Sequence, residues 1–258
     1  MKHLMTVRAS KVPEVTLLFW IIKILATTLG ETGGDAVSMT MGLGYALSTV
    51  IFFAIFAVVV AVQIRARSFH PGLYWIVIVT TTTAGTTLAD FADRSLGIGY
   101  AGGSLTLLAL LLLVLGSWWV SVGSISVSHI HVPRVEAFYW AAIFASNTLG
   151  TALGDFLADD TGLGYGGGAL VFLGLLAVVA AAYAWMKFSH TLLFWTAFIL
   201  TRPLGATVGD FLDKPVSAGG LHLSRIIASL VLAAIIAGLV ALVPQRAGRH
   251  PGEVQLSS

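Results

Sequence analysis

Four aspartates occupy the same position of a motif that recurs along the chain, each near the end of a long apolar run. The motif reads TLGETGGD at 28–35, TAGTTLAD at 83–90, TLGTALGD at 148–155 and PLGATVGD at 203–210, so its last residues are Asp35, Asp90, Asp155 and Asp210. A central aspartate in a membrane-spanning helix costs about 2.5–3.5 kcal/mol on the insertion scale, and such residues face protein or water rather than lipid. The repetition therefore predicts that the four carboxylates act together.

Hydroxyl groups and a further carboxylate share a helical face with these aspartates. Residues at i, i+3 and i+7 lie on one side of a helix. This stripe holds Thr28, Glu31 and Asp35, then Thr83, Thr86 and Asp90, then Thr148, Thr151 and Asp155, and finally Pro203, Ala206 and Asp210. Carboxylates and hydroxyls suit hard cations such as Mg²⁺, Ca²⁺ or Mn²⁺, and carboxylates that share one space can exchange protons.

We therefore expect an acidic collar at the outer mouth of a polar-lined cleft. In this interpretation Asp35, Asp90, Asp155 and Asp210 are candidate metal ligands, and the hydroxyls of the stripe and Glu31 line the ion-binding cleft. The alternative is that each aspartate only caps its own outer turn.

A second face, one residue earlier, carries small residues. It holds Thr27, Gly30 and Gly34, then Thr82, Gly85 and Ala89, then Asn147, Gly150 and Gly154, and finally Arg202, Gly205 and Gly209. Small residues at this spacing let helix backbones approach closely in lipid. The glycines predict an inner ring of odd-numbered helices, with the more apolar even-numbered helices outside it. Asn147, on this face, joins the candidate ion-binding residues.

Two bases lie inside apolar runs and complicate a simple cation pore. By helical rise, Lys23 is about 18 Å inward of Asp35, and Arg202 is about 12 Å inward of Asp210. Intramembrane bases normally pair with acids or backbone carbonyls, so both are candidates for structural ion pairs or for gating. Arg202 breaks the fourfold pattern. This favours a gated or coupled transporter in which Arg202 neutralises an acid when the substrate is absent, and it leaves an anion carrier open.

The composition is that of a membrane protein. Of the 258 residues, 57% are apolar and only 10% are charged, and the mean hydropathy is +0.91. Continuous apolar runs rather than strict alternation favour helices over a barrel. Eight transmembrane helices are predicted at about 14–34, 43–64, 72–90, 101–123, 135–155, 165–186, 191–211 and 222–243.

Basic residues predict which side each loop faces. On the cytoplasmic side the positive-inside rule places Lys2, Arg8, Lys11, Arg65, Arg67, Arg134, Lys187, Arg246 and Arg249. The opposite loops hold Arg94 and Lys214, with Arg225 just inside the last helix. Both termini are therefore expected to be cytoplasmic.

The chain is built from four repeats of two helices. Trp20, Trp75, Trp140 and Trp195 are spaced by 55, 65 and 55 residues, and the motif aspartates keep the same spacing. Each unit crosses twice, so the units are parallel repeats around an axis along the membrane normal, a pseudo-twofold or pseudo-fourfold bundle. A single transmembrane domain at 1–243 is expected, with repeats at about 12–67, 68–124, 132–187 and 188–243 and a flexible cytoplasmic tail at 244–258.

Glycine-rich outer turns follow three of the aspartates, as GLGYA, GIGYA and GLGYG. Glycine permits a tight turn. The tyrosines of these turns are expected to anchor helices at the outer interface rather than to build a potassium-channel filter.

The tandem unit, with its early tryptophan and late Gly/Asp motif, resembles a bacterial inner-membrane family described only by four two-helix repeats of unknown function. The resemblance covers about residues 12–243 and implies a bacterial cytoplasmic membrane, but it supplies no substrate. Nucleotide-binding and hydrolase motifs are missing from the sequence, so no enzyme activity, cofactor or nucleic-acid partner is expected.

The favoured function is secondary transport or export of a small ion, with a divalent metal cation exchanged for protons. A channel remains open, as does an intramembrane enzyme or a sensory or accessory subunit that binds a lipid or a partner helix. The expected partners are the bilayer and the ion, and homo-oligomerisation is not excluded.

Overall fold

The computed structural model describes residues 10–127, 130 and 132–248. Over these ranges the chain forms eight α-helices: α1 Leu17–Asp35, α2 Gly44–Arg65, α3 Pro71–Asp90, α4 Tyr100–Val122, α5 Pro133–Asp155, α6 Gly164–Trp185, α7 His190–Asp213 and α8 Arg225–Leu242. The same ranges hold no β-strand, only an isolated bridge between Pro13 and Ala247. The prediction of eight helices is therefore confirmed, while the crossing of a membrane by all eight stays a prediction.

Several helices begin at residues that suit a helix N-terminus. The Thr16 hydroxyl accepts from the Phe19 amide at the start of α1, and Ser189 and Ser224 do the same for α7 and α8. Proline occupies the first turn of α3 and of α5, where a missing N–H costs nothing. These signals fix the entry of the chain into each helix.

Six helices, α1, α2, α4, α6, α7 and α8, are long and apolar enough to cross a membrane, judged by length and composition. The remaining two, α3 and α5, carry many buried polar residues, among them Thr81, Thr82 and Thr83 in α3 and Ser146, Asn147 and Thr148 in α5. These polar residues lower the mean hydropathy of both helices.

The odd-numbered helices form a closed ring. α1 contacts α3, α3 contacts α5, α5 contacts α7, and α7 returns to α1. Each even-numbered helix packs against the odd helix of the next repeat, α2 on α3, α4 on α5, α6 on α7 and, closing the cycle, α8 on α1. The helices α2, α4, α6 and α8 expose most of their apolar side chains on the outside.

The glycines of the small-residue face lie where odd helices meet. Gly30 faces Thr82, Gly85 faces Asn147, Gly150 faces Arg202, and Gly205 faces Thr27. Each glycine thus contacts the residue three positions before the corresponding glycine of the neighbouring odd helix. Because this offset is the same at all four interfaces, the odd helices run parallel and at equal depth. A Cβ atom on Gly85 would lie 3.0 Å from the Thr148 backbone nitrogen, so any larger residue would have to push the two backbones apart by a few tenths of an ångström.

Each of the first three odd helices continues past its aspartate as a wide π-helical turn, at Ala36–Thr40, Phe91–Ser95 and Phe156–Asp160. The glycine-rich turns follow, and six of their glycines have positive φ. In the fourth repeat α7 runs on to Asp213, and a loop with a short 3₁₀ helix at Val216–Ala218 replaces the turn. These extensions carry side chains beyond the aspartates, at the outer end of the odd helices.

The first and last described segments lie side by side at the inner end. The Glu14 amide donates to the Arg246 carbonyl at 3.0 Å, and the Gly248 amide donates to the Val12 carbonyl at 2.8 Å. Residues 244–248, the start of the predicted tail, are thus paired with the N-terminal segment. Of the remaining expectations for the termini, Lys2, Arg8, Arg249 and the tail from 249 to 258 lie outside the described residues.

Candidate functional site: a buried polar column on the axis of the ring

A column of side chains, taken every fourth residue from the odd helices, fills the axis of the ring. Its five layers, from the inner to the outer end, are Phe19, Tyr74, Tyr139 and Phe194; Lys23, Ile78, Ile143 and Phe198; Thr27, Thr82, Asn147 and Arg202; Glu31, Thr86, Thr151 and Ala206; and Asp35, Asp90, Asp155 and Asp210. All of these residues are buried. We call this set the axial column. It becomes polar toward the end where the motif aspartates lie.

Arg202 occupies the centre of the column. Its Nη2 atom donates to Glu31 Oε2 at 3.0 Å, to Thr151 Oγ1 at 2.6 Å, and to Thr86 Oγ1. These three residues hold the same position in the other three repeats, so one guanidinium contacts every other odd helix. The Arg202 side chain is 0% exposed. It therefore blocks the axis between the inner layers and the aspartate layer.

The four motif aspartates converge in one layer, where bases bridge them in pairs. Lys214 Nζ lies 2.8 Å from Asp35 Oδ2 and 2.9 Å from Asp210 Oδ1. On the other side of the axis, Arg94 bridges the remaining two motif aspartates, with Nε 3.1 Å from Asp90 Oδ1 and Nη2 3.3 Å from Asp155 Oδ2. The four carboxylates thus share one space and two tethered counter-charges.

Further acids and a third base extend this layer. Arg225 Nε lies 3.3 Å from Asp213 Oδ2 and 3.7 Å from Asp35 Oδ2. Two groups bring three carboxylate oxygens within 4.8 Å of one another, Glu31 with Asp35 and Asp90, and Asp35 with Asp210 and Asp213. The first group spans two layers of the axial column and connects the aspartates to the Arg202 contact.

Several carboxylate oxygens at this end are buried without a hydrogen-bond partner, among them Asp35 Oδ1, Asp90 Oδ2 and Asp155 Oδ1. Lys214 lies just beyond α7. Burial acts to lower its pKa, but Asp210 and Asp35 outweigh burial and raise the pKa above the ordinary value. The ammonium group of Lys214 is therefore charged throughout the physiological pH range. A mobile cation that reached this layer would compete with a tethered cation for the same oxygens.

The inner end of the column is closed by aromatic and apolar side chains. The Tyr74 and Tyr139 hydroxyls form a hydrogen bond of 2.8 Å, and the Phe19 ring lies 6.4 Å from that of Tyr74 and 6.4 Å from that of Phe194. One turn outward, Lys23 Nζ lies 3.3 Å from Asn147 Oδ1 and 4.2 Å from the centre of the Phe198 ring. The described side chains of these two layers are therefore buried and contact one another across the ring.

The repeat architecture decides the family. The profile of a family described as Repeat of Unknown Function (DUF347) matches the chain four times, at residues 18–69, 73–124, 138–189 and 193–244. The chain belongs to the DUF347 family. Comparison with curated proteins gives no match, and comparison with solved structures gives none either. Each DUF347 unit comprises one helix of the ring and the outer helix that follows it.

The structure does not bring every predicted ligand into the axial column. The hydroxyls of Thr28, Thr83 and Thr148 donate to carbonyls four residues earlier in their own helices, at 3.0, 2.9 and 2.9 Å. Such backbone contacts are common for threonine within helices. Thr86 and Thr151, one turn further along, are the hydroxyls that reach Arg202.

Sequence reasoning missed the bridging bases. Arg94 and Lys214 were assigned only to the outer loops, yet each lies four residues after a motif aspartate and pairs with it. That spacing places two side chains on one helical face. It occurs in the second and fourth DUF347 units only, since the first and third have Met39 and Asp159 there. The alternation was a readable signal of twofold symmetry.

Proposed function

We propose that this DUF347 protein is an integral membrane carrier that moves a small cation along the axis of its helix ring. A divalent metal cation exchanged for protons is the favoured substrate. One observation carries the proposal: four aspartates from four repeats share a buried layer and are bridged by tethered bases. The tethered bases neutralise the buried carboxylates while no substrate is bound, and a competing cation can displace these bases.

Placement in a membrane is supported by the six long apolar helices and by the apolar residues that the outer helices expose. The excess of lysine and arginine on the side of the termini supports cytoplasmic ends. A bacterial cytoplasmic membrane is the proposed location. Among the described residues, Lys11 and Arg65 lie toward the inner end and Arg94 and Lys214 toward the aspartate layer, in keeping with that orientation.

The oxygens of Glu31, Asp35 and Asp90 are the proposed first contact of the cation, because they lie within 4.8 Å of one another at the aspartate end of the column. Carboxylates at this spacing suit a hard divalent cation. A cation bound there would weaken the contact between Glu31 and Arg202, and withdrawal of the guanidinium would open the axis inward.

A carrier fits the closed axis better than a channel. Arg202 contacts all three other odd helices and fills the centre of the ring. The four repeats contribute unequal side chains at this depth, and one of these is a fixed positive charge. Rapid conduction needs a row of similar weak sites, which this arrangement does not provide. Passage therefore requires a change of conformation in each cycle.

Proteoliposomes test the proposal. Purified protein is reconstituted with an internal pH dye and a metal indicator, and Mn²⁺, Mg²⁺, Ca²⁺ and Zn²⁺ are added outside in turn. We expect uptake of at least one metal together with proton release. Asp90→Asn and Asp155→Asn should lower the rate at least about tenfold, because each removes a charged ligand. Asp160→Asn, at an exposed outer position, is the matched control.

Two results would overturn the cation proposal. One is the lack of flux with all four metals in vesicles that contain well-folded protein. The other is a wild-type rate in both Asp90→Asn and Asp155→Asn. Circular dichroism and size-exclusion profiles of each variant establish that folding is intact before the rates are compared.

A further inference from the structure

A cluster of nitrogen donors lies inward of the contact between Arg202 and Glu31. Lys23 comes from α1, Asn147 from α5 and Arg202 from α7, and all three side chains are 0% exposed. Asn147 and Arg202 hold equivalent positions on neighbouring helices, and Lys23 Nζ reaches Asn147 Oδ1 at 3.3 Å. We call these three residues the donor cluster.

Much of the hydrogen-bonding capacity of the donor cluster is unused within the described part of the chain. Arg202 makes all of its contacts through Nη2, while its Nε and Nη1 atoms have no partner. Asn147 Nδ2 also has none. Buried donors are nearly always paired, because an unpaired donor loses its hydrogen bonds to water without a replacement. Unused donors on helices from two repeats, beside a buried lysine, therefore call for an acceptor.

The charges at this depth call for the same partner. Glu31 offsets the charge of Arg202 at 3.0 Å. Lys23, by contrast, meets an amide oxygen and the Phe198 ring, and no carboxylate among the described residues contacts it. Burying a charge is costly unless it is paired. A buried lysine stays protonated only where an anion offsets its charge, so an anion bound here would stabilise the protonated form of Lys23.

We propose that the donor cluster binds a small monovalent anion such as chloride. The ammonium of Lys23, the amide nitrogen of Asn147 and the free Nη1 group of Arg202 are its ligands. The Phe198 ring centre lies 4.2 Å from Lys23 Nζ, and the residues of the same layer in α3 and α5, Ile78 and Ile143, are buried and apolar, so the site suits a compact ion. The site lies inward of Glu31, so the guanidinium of Arg202 separates the anion from the aspartate layer.

Thermal unfolding of the full-length protein in detergent tests this site. Melting is followed while gluconate is replaced by chloride at constant ionic strength and pH. We expect a saturable rise in melting temperature of about 2–4 °C, since a ligand of the native state stabilises it. Lys23→Met should abolish the chloride dependence. Lys187→Met, the same change at an exposed position, should retain it.

A second variant keeps the test decisive if Lys23→Met does not fold. Asn147→Asp places a carboxylate within the donor cluster, so the protein carries its own anion and should lose the response to chloride. The proposal is overturned if wild type melts at the same temperature in chloride and gluconate, or if Asn147→Asp keeps the full shift. The measurement uses no metal and no gradient, so its outcome is independent of the transport proposal.

Discussion

At the scale of single residues, Arg202 and Glu31 form a fully buried ion pair at the centre of the ring. Both are buried, and one guanidinium nitrogen joins a carboxylate and two hydroxyls from three different helices. The desolvation of a buried pair offsets much of its attraction, so such pairs contribute little net stability. Removing one partner, however, leaves a buried charge without a counter-ion. The pair is therefore better suited to fixing one conformation than to adding stability.

This asymmetry predicts a double-mutant result. Arg202→Met should lower the free energy of unfolding by about 3–5 kcal/mol, because Glu31 is left buried and unpaired. Glu31→Gln combined with Arg202→Met should lose clearly less than Arg202→Met alone. Unfolding in mixed micelles measures both variants.

Arg65→Met, at an exposed position, serves as the control and should lie within about 0.5 kcal/mol of wild type. If the double variant is less stable than Arg202→Met alone, the two charges are not coupled as the geometry indicates.

At the scale of helices, the ring depends on close approach at its glycines. A Cβ atom on Gly150 would overlap the Arg202 side chain and lie 3.0 Å from Pro203 Cδ. Neither neighbour can withdraw, because the guanidinium is held by three helices and proline is rigid. Gly116, in the middle of α4, has open space around it. The two glycines therefore have different roles although both lie within helices.

Alanine substitutions distinguish these roles. Gly150→Ala should destabilise the protein by about 1–3 kcal/mol through overpacking between α5 and α7. Gly116→Ala should be neutral or stabilising by up to about 1 kcal/mol, since alanine is the better helix former. Unfolding of both variants under identical conditions checks this. Equal effects at the two positions would show that close contact does not limit the approach of the inner helices.

The sequence was sufficient to predict the eight helices and the convergence of the motif aspartates, because apolar length and helical periodicity are local properties. It was not sufficient to predict the partners of these groups. Arg94 lies in the π-helical turn that follows α3 and contacts Asp155 in another repeat, and the residue types predict neither the turn nor this partner. The path of Arg202 to three helices likewise depends on side-chain packing between repeats.

At the scale of the whole molecule, the repeats form a cycle in which the first and last described segments are neighbours. Helix α8 packs on α1 as α2 packs on α3. The terminal segments are joined by backbone hydrogen bonds, one of them from Glu14 to Arg246. The packing of the helices therefore does not depend on which pair of neighbouring helices the chain leaves unconnected.

A circular permutant tests this view. A chain that begins at Pro71, ends in the exposed linker near Arg67, and has residues 248 and 10 joined by a short glycine-serine linker should fold to the same structure. Exposed linkers tolerate such cuts. Circular dichroism and the unfolding midpoint should match wild type closely. A permutant that is inserted and expressed but lacks the native helix content would show that chain order, and not the cycle of contacts, determines the fold.

Because every outer helix covers the inner helix of the next repeat, two identical half-length chains would satisfy the same contacts as a symmetric dimer. Such a dimer would place two copies of Arg202 at one axial position, where their charges would repel. Within a single polypeptide the two halves can differ in sequence. The second half contributes Arg202 to one layer and the first half contributes Lys23 to another, so neither charge is duplicated. The covalent link between halves is thus what permits an asymmetric charge at the centre of a nearly symmetric protein.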